Sequence, residues 1–325
     1  MNSIGRIFRI SLFGESHGNG IGVTIDGCPP GLPLTAEDFT SDLGRRKSGK
    51  PGTTPRIEDD LPELLSGQFN GFTTGAPLTI LFRNKNVRSG DYADLRETPR
   101  PGHSDFVAYK RYRGFNDYRG GGHFSGRLTL CLVAAGVVAR KLIAPVDIQA
   151  KLISAGGEKD IDRVVANALE AGDSVGGLVE CRATGIPVGW GEPFFDSVES
   201  VIAHMAFAIP AIKGVEFGSG FSAASMRGSN HNDLIMDDSG RTATNNAGGI
   251  SGGLTNGNEL VFRIAVKPTS SISVQQSTYS IKSGKIENLE VKGRHDACIA
   301  LRVPVVLEAI TAIALADLKF MAESI

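Results

Sequence analysis

Two long apolar helices constrain the fold of this 325-residue chain more than any other feature of its sequence. The first is predicted over residues 125–143, where apolar residues recur at helical spacing and cover nearly the whole circumference. The second is predicted over about residues 303–321. A helix that is apolar on all sides is stable only when several sides are buried, so other layers must pack around it.

Similar patterns precede the two long helices. Each half contains a strand, a helix and further strands, predicted over 6–13, 21–26, 35–47, 63–69 and 78–85 in the first half and over 177–183, 197–207 and 259–266 in the second. Because strands come in neighbouring runs rather than alternating with helices, we predict an α+β layered fold. We expect one domain, 1–325, with repeated units over 1–145 and 146–325; chance similarity is the alternative.

The composition is that of a globular protein, with 41% hydrophobic and 21% charged residues. A net charge of −1 argues against general nucleic-acid binding. No uninterrupted apolar run reaches the roughly 18 residues that span a bilayer, and the N-terminal residues lack the apolar block of a signal peptide. We therefore expect a cytoplasmic protein without membrane or nucleic-acid partners.

The four cysteines lie far apart in the sequence, so no Cys-x-x-Cys pair or zinc knuckle can form locally. We expect them to be buried free thiols, as is usual in a reducing compartment. No histidine or carboxylate spacing predicts a metal site.

Glycine is over-represented and clustered. The chain contains 41 glycines, many of them within residues 114–126, 218–228 and 248–257. These clusters also contain arginine, histidine and asparagine, which indicates backbone held close to a ligand or in unusual dihedral angles. Flexible linkers are the alternative reading.

The segment Gly14-Glu15-Ser16-His17-Gly18 matches the letters of the serine-hydrolase nucleophile elbow, G-x-S-x-G. An elbow requires a strand, a sharp turn and then a helix. Here the turn is followed by a second predicted strand, "IGVTIDG". We therefore interpret Ser16 as a turn residue, while a hydrolase that uses Ser16 stays as the alternative function.

Two histidines lie in turns whose flanking residues predict little burial of the imidazole ring. His17 stands in the glycine-rich turn just described, and His103 stands in the Pro-Gly turn "RPGHSD". Histidine titrates near neutral pH, so both are natural general acids or bases. Ordinary surface histidines are the alternative.

Cationic residues are concentrated in neighbouring loops. "GRRKSGK" contributes Arg46 and Lys50, and Arg127 stands at the start of the first long helix, where the helix dipole favours anions. "KPTSS", residues 267–271, ends a strand with one cation and three hydroxyls, which could bind a phosphate. These residues indicate a lyase, isomerase or transferase that acts on a phosphorylated acid.

Several ordered segments together resemble the chorismate synthase family over nearly the whole chain. They are "GESHGNGIGVTIDGCPPGLPLT", "RSGDY", "RPGHSD", "DYRGGG", "GGISGG", "KPTSSI" and "KGRHDAC". The resemblance implies an enzyme that eliminates phosphate and a ring proton from 5-enolpyruvylshikimate 3-phosphate, in a trans-1,4 sense, to give chorismate. It also implies reduced FMN (FMNH2) as cofactor, which lends an electron to the substrate transiently.

The resemblance further implies a sandwich of sheets and helices with an internal pseudo-two-fold repeat, assembled as a homotetramer. No G-x-G-x-x-G opens a helix after a strand, and "GNGIG" lies between strands. We therefore expect the chain to depend on an external flavin reductase rather than to reduce FMN itself with NADPH.

Individual roles follow from the same resemblance. His17 would protonate or hold the departing phosphate, His103 would manage the proton on the reduced flavin, and Asp296 would assist proton removal. Arg46, Lys50 and Arg127 would bind the substrate. The flavin would be bound by His123, Phe124, Ser125, Gly252, Lys267, Pro268, Thr269, Ser270, Ser271 and Arg294.

The chain departs from the family pattern at a few positions. His123-Phe124 and Pro210 replace residues that are common in the family, and Lys50 stands where arginine is frequent. These differences concern flavin affinity more than the reaction. A binding protein of the same fold that holds FMN without turnover is a third hypothesis.

Overall fold

Two antiparallel sheets, one from each half of the chain, form the outer layers of the protein. The computed structural model describes residues 2–87, 89–92, 94–291 and 295–324. The first sheet has the strand order β1-β2-β3-β7-β4 and the second has the order β10-β13-β9-β8. Their strands are β1 (Ser3–Ile4), β2 (Arg9–Gly14), β3 (Gly20–Asp26), β4 (Glu63–Ser66), β7 (Leu78–Arg83), β8 (Asp147–Ala155), β9 (Gly177–Thr184), β10 (Ile212–Phe217) and β13 (Leu260–Val266).

Three two-stranded hairpins lie outside the main sheets. They are β5 (Gln68–Phe69) with β6 (Phe72–Thr73), β11 (Ile250–Ser251) with β12 (Leu254–Thr255), and β14 (Gln276–Tyr279) with β15 (Ile286–Leu289). The helices are α1 (Thr40–Arg46), α2 (Asp105–Arg111), α3 (Thr129–Leu142), α4 (Ile161–Glu170), α5 (Val198–Ala208), α6 (Gly228–His231) and α7 (Val303–Ala322).

The two predicted apolar helices, α3 and α7, form the middle layer. Helix α3 packs against β3 and against α7, while α7 packs against β8 and β9 of the second sheet. The helices approach closely at Gly136, where an added Cβ would lie 2.4 Å from the Cβ of Ala309. The expected burial on several sides is therefore confirmed, and one hydrophobic core connects both sheets.

Composition alone would allow these helical regions to cross a membrane. Two segments, Arg119–Leu142 and Ile299–Ala322, are long and apolar enough, but 78% of each apolar window is buried inside the protein. Charged residues interrupt both segments, for example Arg127 in the first and Glu308 in the second, so neither is an uninterrupted apolar run. Burial on this scale is typical of core helices.

The strand order of the first sheet recurs in the second. The order β2-β3-β7-β4 corresponds to β8-β9-β13-β10, and all these neighbours pair antiparallel. Helices α1 and α5 occupy equivalent places in the chain order, as do α3 and α7 and the hairpins β5–β6 and β11–β12. The predicted α+β sheet–helix–sheet sandwich with an internal repeat is thus confirmed.

Some elements differ from the sequence expectations. The helix predicted over 35–47 is a short 3-10 turn, Ala36–Phe39, followed by α1, and helix α2 lies where no helix was predicted. Strand β8 and helix α4 were not predicted. Strand β8 lies at a sheet edge, and its first six residues alternate polar and apolar side chains, so the sequence carried a usable strand signal there. All four cysteines are free and buried, as expected.

Candidate active site

A large cavity lies where α3 and α7 begin and where α1 and α5 end. Its volume is about 740 Å³, within the range of about 300–1,000 Å³ that is typical of ligand pockets. The segments 100–104, 120–129 and 267–271 also contribute to its walls. The start of a helix favours anions because its first N–H groups are unpaired and its dipole is positive there.

The cavity lining is strongly cationic. The cations are Arg46, Lys47, Arg56, Arg100, Arg127, Lys267 and Arg302, against the carboxylates Glu58, Asp60 and Asp296. Apolar side chains also line the cavity, among them Leu12, Met205, Ile209, Val306 and Ile310. A cavity of this kind suits a ligand, or a pair of ligands, with several anionic groups and an apolar ring.

His103 is held in place by an ion pair behind it. Its Nδ1 lies 2.6 Å from Asp105 Oδ1, and Arg100 donates two hydrogen bonds to the same carboxylate at 2.7 and 2.8 Å. Burial would raise the pKa of Asp105, but the hydrogen bonds from Arg100 and His103 outweigh it and hold the pKa well below its usual range. Arg100 NH2 also lies 3.0 Å from Nδ1, but the ionised Asp105 only accepts and lies closer, at 2.6 Å, so Nδ1 carries the proton and Nε2 keeps its lone pair.

Burial also lowers the pKa of His103, partly opposed by the hydrogen bond to Asp105. The ring is therefore neutral at neutral pH. A neutral, oriented imidazole on the wall of an anion-binding cavity can accept a proton from a ligand.

Arg127 presents one unpaired nitrogen in this region. Its Nε donates to Asn84 Oδ1 at 2.6 Å and its NH1 donates to Asp60 Oδ1 at 3.0 Å. Its NH2 is buried and has no hydrogen-bond partner among the residues that the structure describes. A buried guanidinium nitrogen without a partner is costly, so a bound anion would satisfy it.

Arg46 lies beside Arg127 and is also buried. Its Nε donates to Thr129 Oγ1 at 3.0 Å and its NH2 donates to the carbonyl of Gly126 at 2.8 Å. Burial, followed by the charges of Arg302 and Arg127, lowers the pKa of Arg46 to about 9. A negatively charged ligand would offset this repulsion among neighbouring cations.

His17 does not line the cavity but lies directly behind its wall. A Cβ added to Gly120, which does line the cavity, would lie 2.5 Å from His17 Cδ2 and 2.6 Å from Nε2. The ring also makes an edge contact with Tyr92, with centroids 5.2 Å apart. Burial, followed by the charges of Arg56 and Arg119, lowers the pKa of His17 to about 4.

Ser16 stands in a turn between two strands, as predicted, because β2 ends at Gly14 and β3 begins at Gly20. Its Oγ accepts a hydrogen bond from Arg56 NH1 at 3.1 Å. No helix follows, so the geometry of a nucleophile elbow is not formed.

The segment 267–271 is tied to the loop that carries His103. Lys267 Nζ donates to Ser270 Oγ at 2.7 Å, and Ser270 Oγ donates to the carbonyl of Gly102 at 2.8 Å. The hydroxyl of Thr269 is buried without a hydrogen-bond partner. This segment lines the cavity and has an unsatisfied polar group to offer a ligand.

Asp296 lies on another wall of the cavity. Its Oδ1 accepts from the backbone N–H of Thr54 at 2.9 Å and lies 3.4 Å from Arg302 NH1.

His123 is anchored through Nδ1, 2.7 Å from the carbonyl of Gly14. Ser125 caps the following turn, accepting from the N–H of Arg127 at 3.3 Å.

The structure brings most of the predicted site residues to the cavity. They are His103, Asp296, Arg46, Arg127, His123, Phe124, Ser125, Lys267, Pro268, Thr269, Ser270 and Ser271. Lys50 and Gly252 are not among the lining residues: Lys50 is exposed after α1, and Gly252 is exposed in the β11–β12 hairpin. Arg294 lies outside the described residues.

Sequence reasoning missed several residues that support the site. Asp105 and Arg100 flank His103 within three positions, so the segment "RPGHSD" carried a usable signal. Asp60 and Asn84 had no such signal, because the fold brings them to Arg127 from distant parts of the chain. Among the described residues, no group of histidine, cysteine or carboxylate side chains could hold a metal ion.

Comparisons with known proteins identify the family of this chain. The family model described as chorismate synthase matches residues 8–320. A chorismate synthase from Chitinophaga pinensis is 64% identical over 99% of this chain and 97% of its own length. One from Dehalococcoides mccartyi is 47% identical over 99% and 97%.

The fold agrees as well. A solved structure described as a crystal structure of chorismate synthase is similar with a TM-score of 0.73 and 27% identity. The match covers 97% of this chain and 92% of that one. Given matches of this length and identity, the chain belongs to the chorismate synthase family.

Proposed function

We propose that the cavity binds 5-enolpyruvylshikimate 3-phosphate beside reduced FMN and eliminates phosphate from the substrate to give chorismate. The observation that carries the proposal is the excess of cations around the neutral His103 in one cavity. The substrate has a phosphate and two carboxylates, which such a cavity attracts.

Arg46 and Arg127 bind the anionic groups of the substrate in this proposal. Arginine is suited to this role because its planar guanidinium binds carboxylate and phosphate in a bidentate manner. The unpaired NH2 of Arg127 supports the assignment, since it is a buried donor without an acceptor. Lys50, which is exposed, stays a prediction from the resemblance alone.

Reduced FMN fits the remaining features of the cavity. The apolar side chains that line it, such as Met205 and Ile209, suit a flavin ring, and segment 267–271 offers hydroxyls and a cation to polar groups. The unpaired Thr269 hydroxyl supports this placement. When bound, the flavin supplies a transient electron to the substrate, while the protein supplies position and electrostatics.

His103 and Asp296 manage protons, and His17 acts at the leaving phosphate. His103 can accept a proton at Nε2 because Asp105 holds the proton on Nδ1. His17 is neutral at neutral pH, since its pKa is about 4. A phosphate dianion bound against Gly120 would lie close to the His17 ring behind it, would raise that pKa and would let His17 donate a proton as the phosphate leaves.

The test is anaerobic turnover of 5-enolpyruvylshikimate 3-phosphate with chemically reduced FMN, followed by chorismate absorbance. We expect product that requires both flavin and substrate, a loss of at least about 100-fold in His103→Ala, and no change in His231→Ala. Absence of product from folded protein that binds FMN would favour the binding-protein hypothesis. A hydrolytic activity without chorismate formation, lost in Ser16→Ala but kept in His17→Ala and His103→Ala, would favour the hydrolase.

We also propose that the protein is a cytoplasmic homotetramer that receives reduced flavin from an external reductase. Large exposed apolar side chains support subunit contacts: Phe115 and Phe195 are 91% and 90% exposed. Light scattering tests the assembly, because a molar mass equal to that of one chain would contradict the tetramer.

Anaerobic NADPH oxidation with FMN, measured with and without an added flavin reductase, tests the source of electrons.

A further inference from the structure

We propose that Asn84 is a positioning residue that holds the His17 turn and Arg127 in one rigid arrangement. The inference rests on the proposed function, because that function assigns the leaving phosphate to His17 and substrate binding to Arg127. Asn84 has no assigned role in the resemblance and does not line the cavity.

All the hydrogen-bonding groups of the Asn84 amide are used. Its Nδ2 donates to the carbonyl of Glu15 at 2.9 Å and to the carbonyl of Gly18 at 2.8 Å. Its Oδ1 accepts from Arg127 Nε at 2.6 Å. One side chain therefore connects both ends of the turn that carries His17 with the guanidinium of Arg127.

The chemistry of the partners determines the orientation of this amide. Carbonyl oxygens can only accept, so the two N–H donors must face Glu15 and Gly18, and Arg127 Nε can only donate, so Oδ1 must face it. An aspartate would keep the acceptor but would turn a second oxygen towards two carbonyl oxygens. Among side chains of this length, only asparagine offers two donors and one acceptor together.

The backbone around Asn84 is fixed by the first sheet. Asn84 directly follows β7, its N–H donates to the carbonyl of Asn19 at 3.3 Å, and the neighbouring Arg83 pairs with Gly20 of β3. The amide is thus attached to a strand end rather than to a loop. Rigid elements hold a site more accurately than loops do.

Asn84 also helps to define which part of Arg127 faces a ligand. With Nε bound to Asn84 and NH1 bound to Asp60, the NH2 group is the one without a partner. At the other end, the turn from Glu15 to Gly18 is closed by a 3.1 Å bond from the Gly18 N–H to the Glu15 carbonyl. The Asn84 donors reinforce this turn from outside and so fix His17.

Two variants separate the two halves of this role. Asn84→Ala removes all three bonds, whereas Asn84→Asp keeps the acceptor for Arg127 and loses both donors to the His17 turn. We expect kcat for chorismate formation to fall about 10- to 100-fold in both variants, because a small misplacement of reacting groups has effects of that size. Asn86→Ala is the matched control, since Asn86 Nδ2 donates only to the carbonyl of Ile57, at 3.0 Å.

NMR of the protein without substrate provides a readout that does not depend on turnover. The His17 ring signals, assigned with a His17→Gln variant, should move in both Asn84 variants. The Arg127 Nε–H signal should move upfield, as expected for a lost hydrogen bond, in Asn84→Ala but not in Asn84→Asp, where the carboxylate still accepts. Neither signal should move in Asn86→Ala.

The proposal is overturned if Asn84→Ala leaves both signals in place and kcat within twofold of the wild type. If Asn84→Ala does not fold, Asn84→Asp decides through its His17 signals, because it keeps the side-chain volume. If the wild-type protein forms no chorismate, the proposed function fails, while the NMR signals still decide whether Asn84 positions His17 and Arg127.

Discussion

Asp105 holds His103 through a 2.6 Å hydrogen bond between Asp105 Oδ1 and His103 Nδ1, and Arg100 keeps that carboxylate ionised with two side-chain hydrogen bonds and one from its backbone N–H. The arrangement places the proton of the neutral ring on Nδ1 and the lone pair on Nε2. Arg100 also donates to Ser271 Oγ at 2.8 Å, so it links His103 to segment 267–271. Acid–base chemistry at His103 is therefore coupled to a carboxylate two residues away.

We predict that Asp105→Asn lowers kcat about 100-fold, within the range expected for loss of an oriented acid–base group. The negative charge of Asp105 raises the pKa of His103 against the effect of burial. Without that charge the pKa falls further, so the acid limb of the kcat profile should move to lower pH. Asp238→Asn, at an exposed position, is the control. An acid limb that does not shift in Asp105→Asn would contradict the coupling.

The pKa of His17 predicts that the protein loses stability on acidification. Unfolded His17 takes up a proton near pH 6.5, whereas folded His17 does so only near pH 4. Between these values the unfolded state binds more protons, so the free energy of unfolding falls as the pH is lowered through this window. The full loss is about 3 kcal/mol, because one pKa unit corresponds to about 1.4 kcal/mol.

Urea unfolding at pH 7.5 and pH 4.5 measures this loss. His17→Gln should lose less stability than the wild type over the same interval, because it has no proton to bind at this position. His204→Gln, at an exposed position on α5, should behave like the wild type. Equal losses in wild type and His17→Gln would show that His17 does not carry the effect.

The ion pair between Arg127 and Asp60 predicts a strong but partly recoverable loss of stability. Both side chains are buried and lie 3.0 Å apart. Arg127→Met leaves the Asp60 carboxylate buried without its partner, which costs about 3–5 kcal/mol. The double variant Arg127→Met/Asp60→Asn should regain part of this stability in urea unfolding while staying inactive. A double variant no more stable than the single one would argue against the pair.

Gly120 is predicted to be required because its missing side chain makes room for His17. Its φ is +59°, and an added Cβ would meet the His17 ring at 2.5 Å. Gly120→Ala should therefore lower kcat by at least about tenfold as the ring is displaced. Gly157→Ala is the matched control, because Gly157 also has a positive φ, +85°, but open space around its Cα.

Both variants should lose about 1 kcal/mol of stability from backbone strain. Only Gly120→Ala should lose activity, measured as anaerobic chorismate formation. Equal activity in the two variants would mean that the His17 ring tolerates the contact.

The general architecture could be predicted from the sequence because its signals are local. Apolar residues around the whole circumference predicted helices α3 and α7. Apolar runs predicted the central strands β3 and β13. Strand β8 and helix α4 were not predicted, although the sequence carries a local signal for each. Residues 147–152 alternate polar and apolar side chains, and Val164, Val165 and Ala168 form the buried face of an amphipathic helix.

The sequence by itself determined the layered fold and the turn that presents His17, and most of the site residues predicted from it line the cavity. Only the tertiary structure decided that Asp60 and Asn84 support Arg127, that His17 is buried behind Gly120, and that Lys50 and Gly252 lie away from the cavity. The physical reason is the range of the interactions. Periodicity and motifs report on neighbours in the chain, whereas burial, charge and hydrogen-bond partners depend on segments that only the folded protein brings together.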